Sequence, residues 1–513
     1  MILRPLALIG FSFTLTFLAL SLFEDSALVI SVSAAACLII CFFAKRLEGR
    51  WTAEIFLLCV ICACLWFSLH DSFVYKTAVS YAGSNTQVTA RIISLPERSE
   101  KGWFYTLKSS EIGGEKAEYK ISFFSKELLD AEPYDEISFR AELYSIDASE
   151  AQSYYKPKGI YLQSFWHSKS VITKAADRPI GYYLLKAKEY AVKRLGTVMG
   201  GEEAGLAAAM LTGDKSGLSD ETVAAFARAG LSHAMAVSGL HMSIIVMGLY
   251  KLLMLFCRRI NWLPGIICTL VSFGYAGITG FSMSAVRSCL MITVMLLGSA
   301  FFKRSDSLNS LGLAALGITL VNPFAVLDWS FMLSFSATLG IILCSKHINL
   351  ISGRLSERIK IRVLRYFVRT VVATALISLA ATVFCLPVTL FFIGGVSLVF
   401  LPANLLTLYA VPLALVSAIS ALPSWGVLSE LAATVCEAVC GYILKAVRWL
   451  ASFEFAYIST DYTVVKLSFL AVMAVVALER FVLKDNSKFL RSAVLTVSFA
   501  VAVNIVLMIF LNG

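Results

Sequence analysis

The 513-residue chain is 58% hydrophobic and 15% charged, with a mean hydropathy of +0.77. That composition excludes an ordinary soluble domain and implies repeated bilayer-crossing segments. Its formal charge of +10 does not by itself imply an anionic partner, because cytoplasmic loops of membrane proteins are enriched in Lys and Arg for topological reasons. The 12 Cys lie within or at the end of apolar stretches, and Cys59 and Cys62 have no second pair or His nearby. They read as packing residues, and neither a disulfide framework nor a metal site is indicated.

Leu3 to Phe23, Ala27 to Phe43 and Trp51 to Leu69 read as three closely spaced helices of spanning or near-spanning length. Arg4 precedes a long apolar run with no A-x-A site before Glu24, which favours a retained first helix over a cleaved signal. Lys45, Arg46 and Arg50 place the loop after the second helix inside, so the region after Leu69 is exported.

From residue 84 to 174 the pattern changes to alternation broken by Gly, Pro and charged turns. Thr86 to Ser94, Trp103 to Lys108, Ala117 to Phe124, Glu136 to Tyr144 and Ile160 to Trp166 each fit a strand period, as in a small barrel of the OB type. Between residues 84 and 180 there are 13 Lys and Arg against 14 Asp and Glu. With so little net charge, the aromatic residues read as barrel core in preference to platforms for nucleic-acid bases.

Residues 175–230 read as interfacial helices. Tyr182 to Leu195 alternates apolar and basic residues in an amphipathic pattern, and Glu202 to Thr212 and Ser219 to Ala229 follow, with Ser219 as N-cap and Gly230 as stop. From residue 231 to 513 apolar spans recur: Leu231 to Phe256, Trp262 to Thr279, Ser284 to Phe302, Leu308 to Val321, Val326 to Leu343, Thr370 to Ile393, Leu398 to Ile419, Val427 to Leu450, Val464 to Leu478 and Leu490 to Leu511. The fold class expected is a polytopic α-helical membrane protein with an exported small β-barrel (OB-like) domain. Arg358, Arg362, Arg365 and Arg369 follow helical spacing and read as a solvated positive-inside face.

Candidate functional residues crowd where Leu211-Thr-Gly213-Asp214-Lys215-Ser-Gly217 leads, through Arg228 and Gly230, into Ser232-His233 and Ser238-Gly239-Leu-His241. Small and polar groups beside an apolar span are costly in lipid unless they pack against protein or line water. Ser238 and His241 share a helix face, as a nucleophile and base would, with Asp214 a conceivable third member. No neighbouring element declares an oxyanion site, so packing or the lining of a water-filled path is the stronger reading. Arg287 lies beside Ser282, Ser284 and Ser288 at the outer end of its helix, against the positive-inside trend. An Arg at a helix centre is disfavoured by about 2.5–3.5 kcal/mol on insertion scales, so a partner, a wet face or interfacial snorkelling must serve it. Asp328, Ser330, Ser334 and Ser336 form another polar stripe. Pro387, Gly394, Gly395, Ser397, Pro402 and Asn404 then suggest broken helices.

Leu211 to Ser219, Phe226 with Ala229 to His233, and Val237 to His241 resemble the signature of the ComEC family of competence proteins, which carry transforming DNA across the cytoplasmic membrane. Ser284 to Arg287 with Met291, Lys303 to Asp306 with Leu308 and Asn309, Asn322 and Pro323 with Phe331 to Phe335, Pro402 to Leu405, and Tyr154 to Tyr161 extend the resemblance over residues 30–480. It implies a channel component, not an enzyme, for single-stranded DNA, with no cofactor. Lys215, Arg228 and Arg287 would contact phosphate, while Gly213, Asp214, His233, Ser238, Gly239, His241, Ser284 and Asn404 would line or shape the path. Implied partners are single-stranded DNA, membrane lipid, a separate DNA receptor, nuclease and cytoplasmic translocase, and a second copy of the chain. The implied location is the bacterial cytoplasmic membrane, with the OB-like domain outside. Long relatives continue into a metallo-β-lactamase-like domain with an H-x-H-x-D-H metal motif, which this sequence lacks, so a short form is expected.

Overall fold

The computed structural model describes residues 4–22, 30, 50–99, 101–146, 153–165, 170–175, 177–257, 262–300, 306–424 and 426–459. The expected spans over 27–43, 464–478 and 490–511 lie almost wholly outside these residues, as do the clusters Lys45/Arg46, Arg258/Arg259 and Lys303/Arg304. The chain separates into two compact units. One comprises Met1–Ser219, His233–Leu343 and Ala410–Gly441, the other Asp220–Ser232, Cys344–Tyr409 and Tyr442–Gly513. Among the described residues six helices are long and apolar enough to cross a membrane, or seven if the broken pair Phe400–Thr407 and Ala410–Ala421 forms one span. The chain is a multi-pass membrane protein.

In the first unit, helix α1 (Pro5–Leu22) starts on a proline, which suits the first helical turn because the missing N–H has no partner there. Its Thr14 and Thr16 hydroxyls donate to carbonyls four residues back, at 2.8 Å each, so they bring no unpaired polar group into the apolar surroundings. Gly10 crosses Gly312 of α9 (Ser307–Val321) so closely that a side chain on either would overlap backbone of the other helix. The crossing is locked at one end. Arg4 Nε meets Asp306 Oδ2 at 3.1 Å, and Asn309 Oδ1 accepts the Ala7 N–H at 3.1 Å. Asp306 also N-caps α9 through the Asn309 N–H at 2.9 Å. The sequence element around Asp306 and Asn309 thus serves to hold the first helix.

Helix α2 (Arg50–His70) runs through a π-helical turn, Asp71–Tyr75, into the sheet. The strands are β1 (Asn85–Ile92), β2 (Glu97–Ser99), β3 (Gly102–Ile112), β4 (Glu115–Lys116), β5 (Lys120–Ser125), β6 (Glu136–Glu142), β7 (Tyr144–Ser145), β8 (Ile160–Phe165) and β9 (Ser170–Thr173). The five expected strands are all present, and the order is β7-β8-β5-β3-β1-β6-β9, with β2 and β4 on β3. The β5–β8 pair is parallel and the others are antiparallel. The two outermost strands of this path share no ladder among the described residues, so a mixed sheet is observed and barrel closure is not.

Alternation sorts the side chains. Val88, Ala90, Ile92, Tyr105, Leu107, Ile121, Phe123, Ile137, Phe139 and Leu162 fill the core, with Trp103 packed against it. Phe104, Phe124 and Phe165 lie on the opposite parity. The aromatics therefore divide between core and outer face, where the sequence reading assigned them to the core.

The sheet is joined to the helices by residues far apart in sequence. Asn322 Nδ2 donates to the Lys156 carbonyl at 3.1 Å and the Pro157 carbonyl at 2.7 Å. Lys156 Nζ sits 4.1 Å from the Tyr75 ring centre and 4.7 Å from that of Phe324. Phe324 also packs edge-on against Phe67, Tyr75 and Tyr161. Beyond the sheet, α3 (Ile180–Val198) continues the amphipathic segment and α4 (Gly201–Thr212) is buried from Ala204 to Thr212.

The second unit contains α5 (Asp220–Arg228) and α11 (Arg362–Val388), whose Pro387 precedes a π-helical turn, Thr389–Ile393, ending on Gly394 at φ 79°. Strand β10 (Gly395–Ser397) pairs antiparallel with β11 (Tyr457–Ser459). Helix α12 (Phe400–Thr407) follows β10. The expected interruption by Pro and Gly is thus a helix, π turn, strand and helix in succession. The span expected from Leu398 to Ile419 is two helices, α12 in this unit and α13 (Ala410–Ala421) in the first, with Leu408 and Tyr409 between them in sequence. Helix α14 (Val427–Ala451) precedes β11.

Candidate functional site

Helix α4 ends on Gly213, whose φ of 78° suits a residue without Cβ, and its N–H caps the Ala209 carbonyl at 2.9 Å. The loop then folds onto its own helix. Asp214 Oδ1 accepts the Ser216 N–H at 2.9 Å and hydroxyl at 2.6 Å, and Asp214 Oδ2 faces Lys188 Nζ at 3.9 Å. Gly217 lies against Gly205 with no room for a side chain on Gly205, and the Ser219 N–H donates to Glu202 at 3.0 Å. This Gly-Asp-Lys-Ser-Gly stretch is therefore a self-closed turn, and Lys215 stands exposed on it.

Helix α6 (Gly239–Phe256) opens with Ser238 as N-cap, and His241 is buried, with only 1% of its surface exposed. Its Nδ1 accepts the Ser238 backbone N–H at 3.2 Å, the reciprocal half of a capping box. The Ser-x-x-His spacing is thereby explained by helix initiation. With Nδ1 engaged as an acceptor, the neutral ring carries its proton on Nε2 and has no lone pair left for the Ser238 hydroxyl. Nε2 is buried with no hydrogen-bond partner among the described residues. His233 is exposed on the 3₁₀ turn Ser232–Ala234.

Arg287 is the centre of the arrangement. It stands on α8 (Met283–Ala300) and is 8% exposed. Its Nε donates to Ser334 Oγ on α10 (Trp329–Glu357) at 2.8 Å, Nη2 to Ser288 Oγ at 3.1 Å and Nη1 to the Met291 sulfur at 3.5 Å. Ser334 Oγ in turn donates to Ser284 Oγ at 3.1 Å, and Ser288 Oγ to the Ser284 carbonyl at 2.8 Å. Gly239 completes the cage, since a Cβ there would stand 3.0 Å from both Arg287 Nη2 and Ser288 Oγ. Among the described residues no carboxylate is within ion-pairing distance of Arg287. A buried guanidinium has five donors, and here its acceptors are two hydroxyls and a weakly accepting sulfur. The site suits an anion that would supply what the protein withholds.

Arg228 and Asn404 belong to the second unit. Arg228 Nε donates to the Ala451 carbonyl at 3.1 Å and Nη2 to the Phe453 carbonyl at 3.4 Å, so its charge meets the carbonyl end of α14. Asn404 is buried in α12. The structure thus brings Gly239, Ser284 and Arg287 together and sets Ser238 beside His241, while Lys215 stands on a separate turn. Ser288, Met291 and Ser334 are cage members not proposed as site residues from sequence. For Ser288 and Met291 the signal was present in the 284, 287, 288 and 291 spacing, which lies on one helix face.

The family model described as Competence protein matches residues 210–479, over half of the 513-residue chain. ComE operon protein 3 of Bacillus subtilis (strain 168) is 26% identical over 226 residues, which are 44% of this chain and 27% of that protein. The match therefore spans about a quarter of that relative's length. No solved structure matches.

Proposed function

The chain belongs to the competence protein family, and we propose that it is a membrane channel component for uptake of single-stranded transforming DNA. In this reading the N-terminus is inside, the sheet is outside in an OB-like role, and the chain is non-enzymatic, working with a separate receptor, nuclease and translocase. Arg287 contacts phosphate within the path, with Lys215 and Arg228 as further cationic contacts. Gly213, Asp214, His233, Ser238, Gly239, His241, Ser284 and Asn404 line or shape the path.

The observation that carries this reading is a buried Arg held by hydroxyls, with no carboxylate beside it among the described residues. A buried ion costs several kcal/mol even after relaxation, so a buried Arg without a counter-charge beside it is a candidate functional site. A phosphate fits the planar fork of the guanidinium and supplies the missing charge.

The test is uptake of labelled DNA into the cytoplasm of a transformable host. Arg287→Ala and His241→Ala are expected to abolish or strongly reduce it at unchanged membrane abundance. Normal uptake in a strain lacking the protein would reject the proposal. Another substrate on the same scaffold is the second reading, because a shared fold does not settle cargo. Uptake of DNA unchanged in Arg287→Ala, with loss of a small anion's transport, would favour it.

A further inference from the structure

The elbow between α10 and α11 gathers charge that the Arg287 cage does not use. From Arg354 to Arg369 the chain holds Arg354, Arg358, Lys360, Arg362, Arg365 and Arg369 against a single carboxylate, Glu357. All six basic residues are exposed, and among the described residues none of them forms an ion pair. The turn is closed largely by its own backbone. The Ile359 N–H donates to the Ser356 carbonyl at 3.1 Å, the Arg365 N–H to the Ile361 carbonyl at 2.8 Å, and Arg365 Nε to the Ile359 carbonyl at 2.8 Å. Arg365 thus helps to hold the turn, while Arg362 and Arg369 share its face of α11 and take no part in closing it.

Helix α11 has 27 residues, so it is about 40 Å long against about 30 Å of hydrocarbon in a bilayer. Its apolar run from Thr370 to Val388 takes up nearly all of that thickness, and the turns from Arg362 to Arg369 therefore stand at headgroup depth. Those turns are apolar as well as basic. Ile361, Val363, Tyr366 and Phe367 are between 63% and 79% exposed. Leu364 and Phe367 lie on the side of α11 away from Arg362, Arg365 and Arg369, and they too are exposed. A charged face that met only water would leave all these apolar side chains wetted. At headgroup depth acyl chains cover them, while the guanidinium groups reach phosphate over their own aliphatic stems.

We propose that this elbow binds the headgroups of anionic phospholipids, with phosphate met by Arg358, Arg362 and Arg369 and acyl chains lying over Val363, Leu364 and Phe367. Six basic groups against one carboxylate favour anionic over zwitterionic lipid. A nucleic-acid strand would satisfy the arginines but would leave the aliphatic Ile361, Val363 and Leu364 uncovered. The lipid site rests on the depth and charge of this one segment, and it holds whatever the protein carries.

The test is lipid binding by the full chain in detergent, titrated with phosphatidylglycerol and with phosphatidylcholine of the same acyl chains and scored as bound adducts by native mass spectrometry. The unaltered chain should prefer phosphatidylglycerol. Arg362→Gln with Arg369→Gln should weaken phosphatidylglycerol binding about 25-fold, at about fivefold for each basic residue near an anionic surface, and leave phosphatidylcholine binding unchanged. Arg362→Lys with Arg369→Lys should keep most of the preference, because an ammonium keeps the charge. Phe367→Ser should weaken both lipids alike. If the Gln pair fails to fold, a salt series on the unaltered chain decides: added salt should lower phosphatidylglycerol binding and spare phosphatidylcholine. The proposal is overturned if the two lipids bind equally, if the Gln pair binds phosphatidylglycerol as tightly as the unaltered chain, or if salt has no effect. It is also overturned if glycerol phosphate competes as well as the lipid, or if oligothymidylate displaces the lipid and binds more tightly, which would make the elbow a nucleic-acid contact.

Discussion

The outer face of the sheet, where Arg91, Lys108 and Lys120 are register partners on β1, β3 and β5, and the Arg287 cage both present cations, but the first set is exposed and the second is buried. Arg91, Lys108 and Lys120 are exposed, so solvation keeps their cost low and salt weakens their mutual repulsion. Arg287 is 8% exposed, and its position depends on Ser284, Ser288, Ser334 and the bare backbone of Gly239. An exposed row of charge can drift into a sequence at little cost, whereas a buried guanidinium must be accommodated by several helices together. The cage is therefore the stronger functional signal of the two, and the sheet the easier to alter without unfolding.

That contrast is sharpest where a change puts atoms into closed space. Gly10→Leu or Gly312→Leu should have the largest effect, at or above the ~1–3 kcal/mol of ordinary core overpacking, because the added side chain meets backbone of the facing helix. Folded protein recovered from membranes should fall sharply. Asn322→Ala removes two donor bonds to the Lys156 and Pro157 carbonyls and the bond its Oδ1 accepts from the Phe324 N–H. A loss of roughly 1–3 kcal/mol is expected, read as a lower thermal midpoint and faster proteolysis between the sheet and α3. An unchanged midpoint would show that the aromatic cluster alone holds the joint. Gly102→Ala should lower the midpoint as well, because its Cβ would meet the Ser125 carbonyl and the Phe124 ring at a φ of 154° and disturb the β3–β5 ladder; an unchanged midpoint would show that this end of the ladder yields freely.

The smallest effect expected is a pH dependence on the exposed side of the comparison. Hydrogen bonds from Lys186 and from the Tyr182 hydroxyl to Glu132, at 3.2 Å and 3.0 Å, hold its carboxyl below the usual range. A depressed folded value means the contribution is fully present above the unfolded pKa of about 4.3 and is lost as pH falls through the folded value. Unfolding curves of Glu132→Gln and the unaltered chain should therefore differ at neutral pH and converge in acid. A constant difference would assign the effect to packing.

Much of the sheet was legible because a period of two is a local property: all five expected strands appear, and parity separates core from surface. The parallel β5–β8 pairing and strand β9 were not legible, since pairing partners far apart in sequence leave no local pattern. The helical region was legible as apolar spans punctuated by polar groups, and the broken stretch around Pro387, Gly394 and Gly395 follows from backbone chemistry. Roles were harder to read. Ser238 and His241 suggested a nucleophile and base, yet their spacing is that of a helix cap. Arg287 was singled out at the outer end of its helix, but its burial depends on the rotation of α8 against α10, which spacing along one helix does not determine. Arg228, proposed as a phosphate contact, lies at the carbonyl end of α14, a neighbour more than two hundred residues away that its own stretch of sequence does not reveal.

The most direct test is Arg287→Met, assayed for thermal stability in detergent and for DNA uptake at matched membrane abundance. Replacing a buried charge by an apolar side chain of similar length is often neutral or stabilising by about 1–4 kcal/mol, and Ser288 and Ser334 each keep an acceptor when the guanidinium is gone. The account predicts a midpoint equal to or above that of the unaltered protein, together with loss of uptake. A lower midpoint with normal uptake by the remaining folded protein would contradict it, and Arg287 would then be a structural residue.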